Sequence, residues 1–124
     1  MTSTEIKNKV IEIWESNKDS NTSIWEIYNF FCESMKEGAE IGQFKAYYYK
    51  WKSACDELKE KYPMIDDTFP QVILCAHAKA NGEDKRAVKR KFGWDIDKVL
   101  NSKMCAIAKL LVNLIEIAKK SKEQ

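Results

Sequence analysis

Apolar residues along this chain recur at intervals of three and four, the period of helices that bury one face. Ile6, Val10, Ile13 and Trp14 mark the first such stripe, and Thr2 with Glu5 three positions later forms the capping-box pattern that starts a helix. The polar run "SNKDSNTS" interrupts it, and Ser23 with Glu26 repeats the capping pattern at the head of a second helix. Ile24, Ile27, Tyr28, Phe31 and Met35 are its stripe, and Gly38 is placed to end it in a left-handed conformation. A third helix contains "FKAYYYKWK", with Phe44, Tyr47, Tyr48, Trp51, Cys55, Leu58 and Tyr62 in one apolar sector, and Pro63 closes it.

After this point the pattern changes. "DDTFP" reads as the cap and first turn of a fourth helix running to Asn81 and Gly82, apolar on most sides and therefore central to a core. A short fifth helix, "EDKRAVKRKF", stops at Gly93, and Asp95 caps a sixth predicted from about Ile96 to Lys120. Between Met104 and Ala118 the only strongly polar residues are Lys109, Asn113 and Glu116, on one narrow stripe. That segment is too short and too polar to span a membrane. It is either wrapped by the other helices or laid against a second copy of itself, which gives an expected homodimer through the final helix. The expected fold is all-α with about six helices: a three-helix unit over residues 1–62 and a C-terminal helical unit with a long final helix over 63–124, divided at "YPMIDDTFP".

Composition sharpens this picture without changing it. A chain of 124 residues with four Gly and two Pro has too few turn formers for a β-sandwich or barrel. The net charge of +2 conceals an asymmetry: residues 1–40 hold eight acids against four lysines, whereas residues 84–124 hold eleven basic groups against five acids. The C-terminal third thus carries whatever field attracts a polyanion. Cys32, Cys55, Cys75 and Cys105 lie far apart within apolar patterns, with no metal-ligand spacing, so they read as buried thiols of a protein kept in a reducing cytosol. Lysine outnumbers arginine nineteen to two, and twelve Ile accompany it, the bias of an AT-rich genome such as many phages and plasmids have.

The first three helices with their short breaks resemble the tri-helical helix-turn-helix module, whose third helix enters the DNA major groove. With Gly38 as the turn glycine, small Ser34 stands four before it, Phe44 six after and Tyr47 nine after; Glu33 departs from the pattern, which has an apolar residue there. At about 100° per residue, Gln43, Ala46, Tyr49, Lys50 and Ser53 fall opposite the apolar stripe, with Lys45 and Lys52 at its flanks. Asp56, Glu57 and Glu60 follow in the second half, clear of the N-terminal turns that touch bases in such modules.

A second segment, "VKRKFGWDIDKVL", has Val88, Phe92, Gly93, Trp94 and Val99 at helix-turn-helix positions, with Lys89 at the usual alanine position and two aspartates opening the following helix. The basic helix before it matters more, because Lys85, Arg86, Lys89 and Arg90 include the chain's only two arginines, four residues apart on one face. Enzymatic readings fare poorly: His77 is the only histidine, Cys75 points to the other side of the same helix, and nothing resembles a phosphate-binding loop, a cofactor motif or a metal site. The expected function is a small DNA-binding protein of a mobile element, with Lys45, Lys50, Lys52, Arg86, Lys89 and Arg90 on phosphates and Gln43, Tyr49 and Ser53 near base edges. The rival expectation is a helical adaptor or inhibitor that meets a protein partner through exposed aromatics and its acidic N-terminal half.

Overall fold

The computed structural model describes residues 1–101 and 105–123. Among these there are seven helices and no strand: α1 Ser3–Ser16, α2 Ser20–Glu40, α3 Phe44–Leu58, α4 Phe69–Ala80, α5 Lys85–Phe92, α6 Ile96–Leu100 and α7 Cys105–Glu123. The all-helical class agrees with the periodicity; the count of six does not, because the predicted sixth helix is broken. Asn101 ends α6, its Nδ2 donating back to the Asp97 carbonyl at 2.8 Å, the local bond by which Asn competes with helix continuation. Met104, from which the apolar run was counted, lies outside the described residues.

Two compact units divide the chain, Met1–Pro70 and Gln71–Gln124. In the first, α1, α2 and α3 pack against one another. Thr2 and Glu5 form the predicted capping box, Thr2 Oγ1 accepting from the Glu5 N–H at 3.2 Å and the Glu5 carboxylate from the Thr2 N–H at 3.4 Å. Asp19, not Ser23, caps α2, accepting from the Asn21 N–H at 3.1 Å and the Thr22 hydroxyl at 2.9 Å. Ser23 is one turn inside the helix and buried.

Gly38 is likewise helical, and the left-handed stop comes at Gly42, φ +71°. There the Gln43 N–H donates to the Gly38 carbonyl at 2.6 Å and the Gly42 N–H to the Ala39 carbonyl at 3.2 Å, the paired bonds of a Schellman ending. What requires glycine at position 38 is space: a Cβ there would stand 2.8 Å from Tyr47 Cδ2 and 2.9 Å from its Cγ. The close approach lets α3 lie down on α2.

Trp51 is fully buried at the centre of this unit, its ring 5.0 Å from Phe31 and 5.1 Å from Phe30. Its Nε1–H donates to Ser34 Oγ at 2.7 Å, and Ser34 donates onward to the Phe31 carbonyl at 2.9 Å, so the one polar edge of the ring is satisfied inside the core. α3 ends at Leu58, four residues earlier than its apolar stripe implied. Tyr62 leaves the helix to set its ring 5.7 Å from Trp14 and its hydroxyl 3.0 Å from Glu15. The Asp66 carboxylate then accepts from the Thr68 N–H at 2.9 Å and from its hydroxyl, closing a turn just ahead of α4, which opens at Phe69 and not within the aspartates of "DDTFP".

In the second unit Val72, Ile73, Cys75 and Ala76 of α4 are buried. α4 ends at Gly82, where the Glu83 N–H reaches the Ala78 carbonyl at 2.9 Å. Asp95 caps α6 through the Lys98 N–H, as read from the sequence, and Asp84, counted within the fifth helix there, is instead its N-cap through the Arg86 N–H. α5 packs on α6 and α6 on α7, whose buried residues are Ile107, Ala108, Leu111 and Ile115.

Candidate nucleic-acid interface

The helical phase of α3, fixed by Tyr47, Trp51, Ala54, Cys55 and Leu58 pointing inward, determines what its outer face presents. Gln43 occupies the N-cap position, exposed and making no side-chain cap bond. Lys45, Lys52 and Ser53 are exposed, and Tyr49 is 59% exposed, its ring 5.9 Å from that of Tyr48 in an edge-on arrangement. Lys50 differs from the other two lysines: it is half-buried, with Nζ 4.8 Å above the ring of Tyr47. Tyr47 is itself fixed by its hydroxyl, which donates to Glu37 at 3.1 Å.

Charge is distributed unevenly along this face. Among the described residues Lys45 and Lys52 make no ion pair. Two of the three acids that follow are engaged instead, Glu57 with Lys7 at 3.1 Å and Asp56 with Lys59 at 2.9 Å, while Glu60, two residues beyond the end of α3, is exposed. Surface pairs of this kind contribute little stability, but they offset the negative field next to the free lysines.

The basic helix α5 shows the opposite departure from expectation. Val88 is buried and fixes the phase, leaving Arg86, Lys89 and Arg90 exposed and without an ion pair among the described residues. Lys85 does not join them. Its Nζ is 2.6 Å from Asp97 of α6, and that hydrogen bond holds the Asp97 carboxyl below, and the Lys85 ammonium above, their ordinary ranges. The α5 cluster belongs to the second unit and the α3 face to the first.

One feature of the first unit escaped the sequence reading. A depression of about 300 Å³ beside α2 is lined by Phe30, Glu33, Lys36, Glu37 and Glu40, with Met1 and Ser34. The spacing of Glu33, Glu37 and Glu40 at i, i+4 and i+7 was the available signal. Each of the three described thiols is shifted upward: burial pushes Cys75 up to about 11, Cys55 is pushed up by burial with Asp66 and Asp67 adding to it, and Cys32 is raised chiefly by burial. Among the described residues no group of three His, Cys, Asp or Glu gathers as metal ligands would, and no helix is long and apolar enough to cross a membrane. No protein-family model matches the chain, no curated protein matches it, and no solved structure matches it.

Proposed function

We propose that the chain is a small DNA-binding protein that uses the outer face of α3 on duplex DNA and the α5 cluster as a phosphate contact. The observation that carries this reading is the exposed Tyr49 set among Lys45, Lys52 and Ser53, with neither lysine in an ion pair among the described residues and with Asp56 and Glu57 engaged elsewhere. Lysines without an internal partner have counterion release available to them on phosphate, whereas paired ones must first break a bond. The connection supports the same reading: α2 and α3 are joined by Ile41–Gln43, a three-residue turn with a left-handed glycine, as in helix-turn-helix units. Moving the turn glycine from 38 to 42 keeps a small residue four positions before it, now Gly38 in place of Ser34. A role in a phage, plasmid or other mobile element rests on the lysine and isoleucine bias alone.

The test is fluorescence anisotropy on mixed-sequence and upstream duplexes over a salt series. Six phosphate contacts from Lys45, Lys50, Lys52, Arg86, Lys89 and Arg90 correspond to a slope of about −5.4 in log affinity against log salt, of which the three lysines of α3 supply about −2.7. Absence of binding at low salt to duplex and single-stranded DNA alike removes the proposal.

The acidic depression on α2 favours a second reading, a protein partner presenting lysine or arginine side chains to Glu33, Glu37 and Glu40 over the ring of Phe30. A nuclease-resistant one-to-one complex that is lost on Glu37→Lys supports it. Homodimerisation through α7 is also proposed, on the strip of half-buried Leu110 and Leu114 beside Ile117, which is 61% exposed. Sedimentation as a monomer at high micromolar concentration removes that assignment.

A further inference from the structure

The second unit contains a cavity of about 260 Å³ between the C-terminal turn of α4, the end of α6 and the first half of α7. Its floor is apolar: Leu100 and Ala108 are buried and Val112 is half-buried. Its rim is not. Lys79 from α4 and Lys109 from α7, thirty positions apart in sequence, converge on the opening together with Asn101 and Asn113.

The state of each polar group narrows what fits. Neither Lys79 nor Lys109 makes an ion pair among the described residues. Asp97 is close enough for Lys79 to help hold its carboxyl down, but it is already engaged by Lys85 at 2.6 Å. Asn101 has its Nδ2 committed to the Asp97 carbonyl at 2.8 Å, which fixes the amide plane, and Asn113 makes no hydrogen bond among the described residues. Two lysines and an uncommitted amide therefore line a cavity with an apolar floor, no carboxylate lines it among the described residues, and the nearby Asp97 is held by Lys85. A purely apolar packing defect has no such rim, and a solvated charged face has no such floor.

We propose that this cavity binds a small organic anion, a carboxylate or phosphate monoester with an apolar body, whose head lies between Lys79 and Lys109 and whose body rests on Leu100, Ala108 and Val112. The volume lies just below the usual range of ligand pockets, so the body is a single ring or short chain rather than a nucleotide. Ammonium groups, as compact charges with three donors, accept either head. None of Lys45, Lys52, Arg86, Lys89 or Arg90 lines the cavity, so the assignment stands apart from the DNA-binding proposal.

The experiment titrates the full chain with phenylacetate, phenyl phosphate and the neutral phenylacetamide, following amide cross-peaks of Asn101, Lys109 and Asn113 in ¹H–¹⁵N spectra. Saturable shifts at these positions with phenylacetate or phenyl phosphate, at least tenfold weaker with phenylacetamide, are expected. The Lys79→Ala/Lys109→Ala double variant and Asn113→Asp, all at exposed positions, abolish the response while leaving the melting temperature in place. Equal response to anion and amide, a response that survives both variants, or no saturable shift with either anion overturns the proposal.

Discussion

Replacing Gly38 by alanine sets two effects of opposite sign against each other. In an ordinary helix interior alanine is better than glycine by about 1 kcal/mol, because it removes backbone freedom from the unfolded chain. Here the added Cβ stands 2.8–3.1 Å from Tyr47 Cδ2, Cγ and Cβ, closer than real carbon atoms pack. The ring has little room to retreat: Tyr47 is only 4% exposed, its hydroxyl is bonded to Glu37 and Lys50 covers its face. Forcing a methyl into a packed site costs about 1–3 kcal/mol, so the net expectation is a loss of up to about 2 kcal/mol, or a fall of up to about 10 °C in Tm. Urea unfolding of wild type and Gly38→Ala measures this directly. In a Tyr47→Ala background, where two of the three close atoms are gone, the same substitution becomes stabilising. If Gly38→Ala alone raises the midpoint by its helix-propensity gain, the contact between α2 and Tyr47 is wrong, and the placement of the α3 outer face fails with it.

Three other outcomes follow from the same geometry. Trp51→Phe removes the Nε1–H bond to Ser34 and leaves the hydroxyl one partner short in the core, a loss of about 1–3 kcal/mol; a double-mutant cycle with Ser34→Ala returns a coupling of about 1 kcal/mol. Burial raises the Cys75 thiol from 9.0 to about 11, so its contribution to stability is complete below the unfolded value and fades as pH rises from 9 towards 11. Unfolding midpoints between pH 8 and pH 11 should therefore fall less steeply for Cys75→Ala than for wild type, and identical slopes would remove the effect. Arg86→Ala with Arg90→Ala weakens DNA binding evenly across sequences and reduces the salt slope by about 1.8, measured by anisotropy; an effect confined to one sequence contradicts a phosphate role.

Helix content was legible because each apolar stripe repeats at the helical period and most starts carry a local cap. Legibility failed where two local signals compete and where a more distant residue decides the outcome. Ser23 with Glu26 satisfies the capping pattern as well as any pair, but Asp19 offers its carboxylate to Asn21 and Thr22 one turn earlier, and the helix begins there. Gly38 near a helix end reads as a stop, whereas its partner is a ring nine residues further on. The break at Asn101 leaves the apolar phase intact on both sides, so periodicity alone does not reveal it. On the candidate interface, phase placed Gln43, Ala46, Tyr49, Lys50 and Ser53 outward, and the structure has all of them exposed except half-buried Lys50. Phase does not reveal the diversion of Lys85 to Asp97, since that pair forms across the turn between α5 and α6. Lys50 over Tyr47, three positions away on one helix, is the miss that local spacing alone predicts.

The caps of α1, α2, α5 and α6 each close over two or three residues, from Thr2, Asp19, Asp84 and Asp95. Such bonds form without waiting for distant parts of the chain to meet, and loop closure over so few residues takes well under a microsecond. The helix boundaries are thus set by bonds within one turn, while the Trp51–Ser34 bond, spanning seventeen positions, requires α3 to lie on α2. The first unit therefore joins locally capped helices through a few long-range contacts, and Gly38, by admitting Tyr47, sits where α3 meets α2.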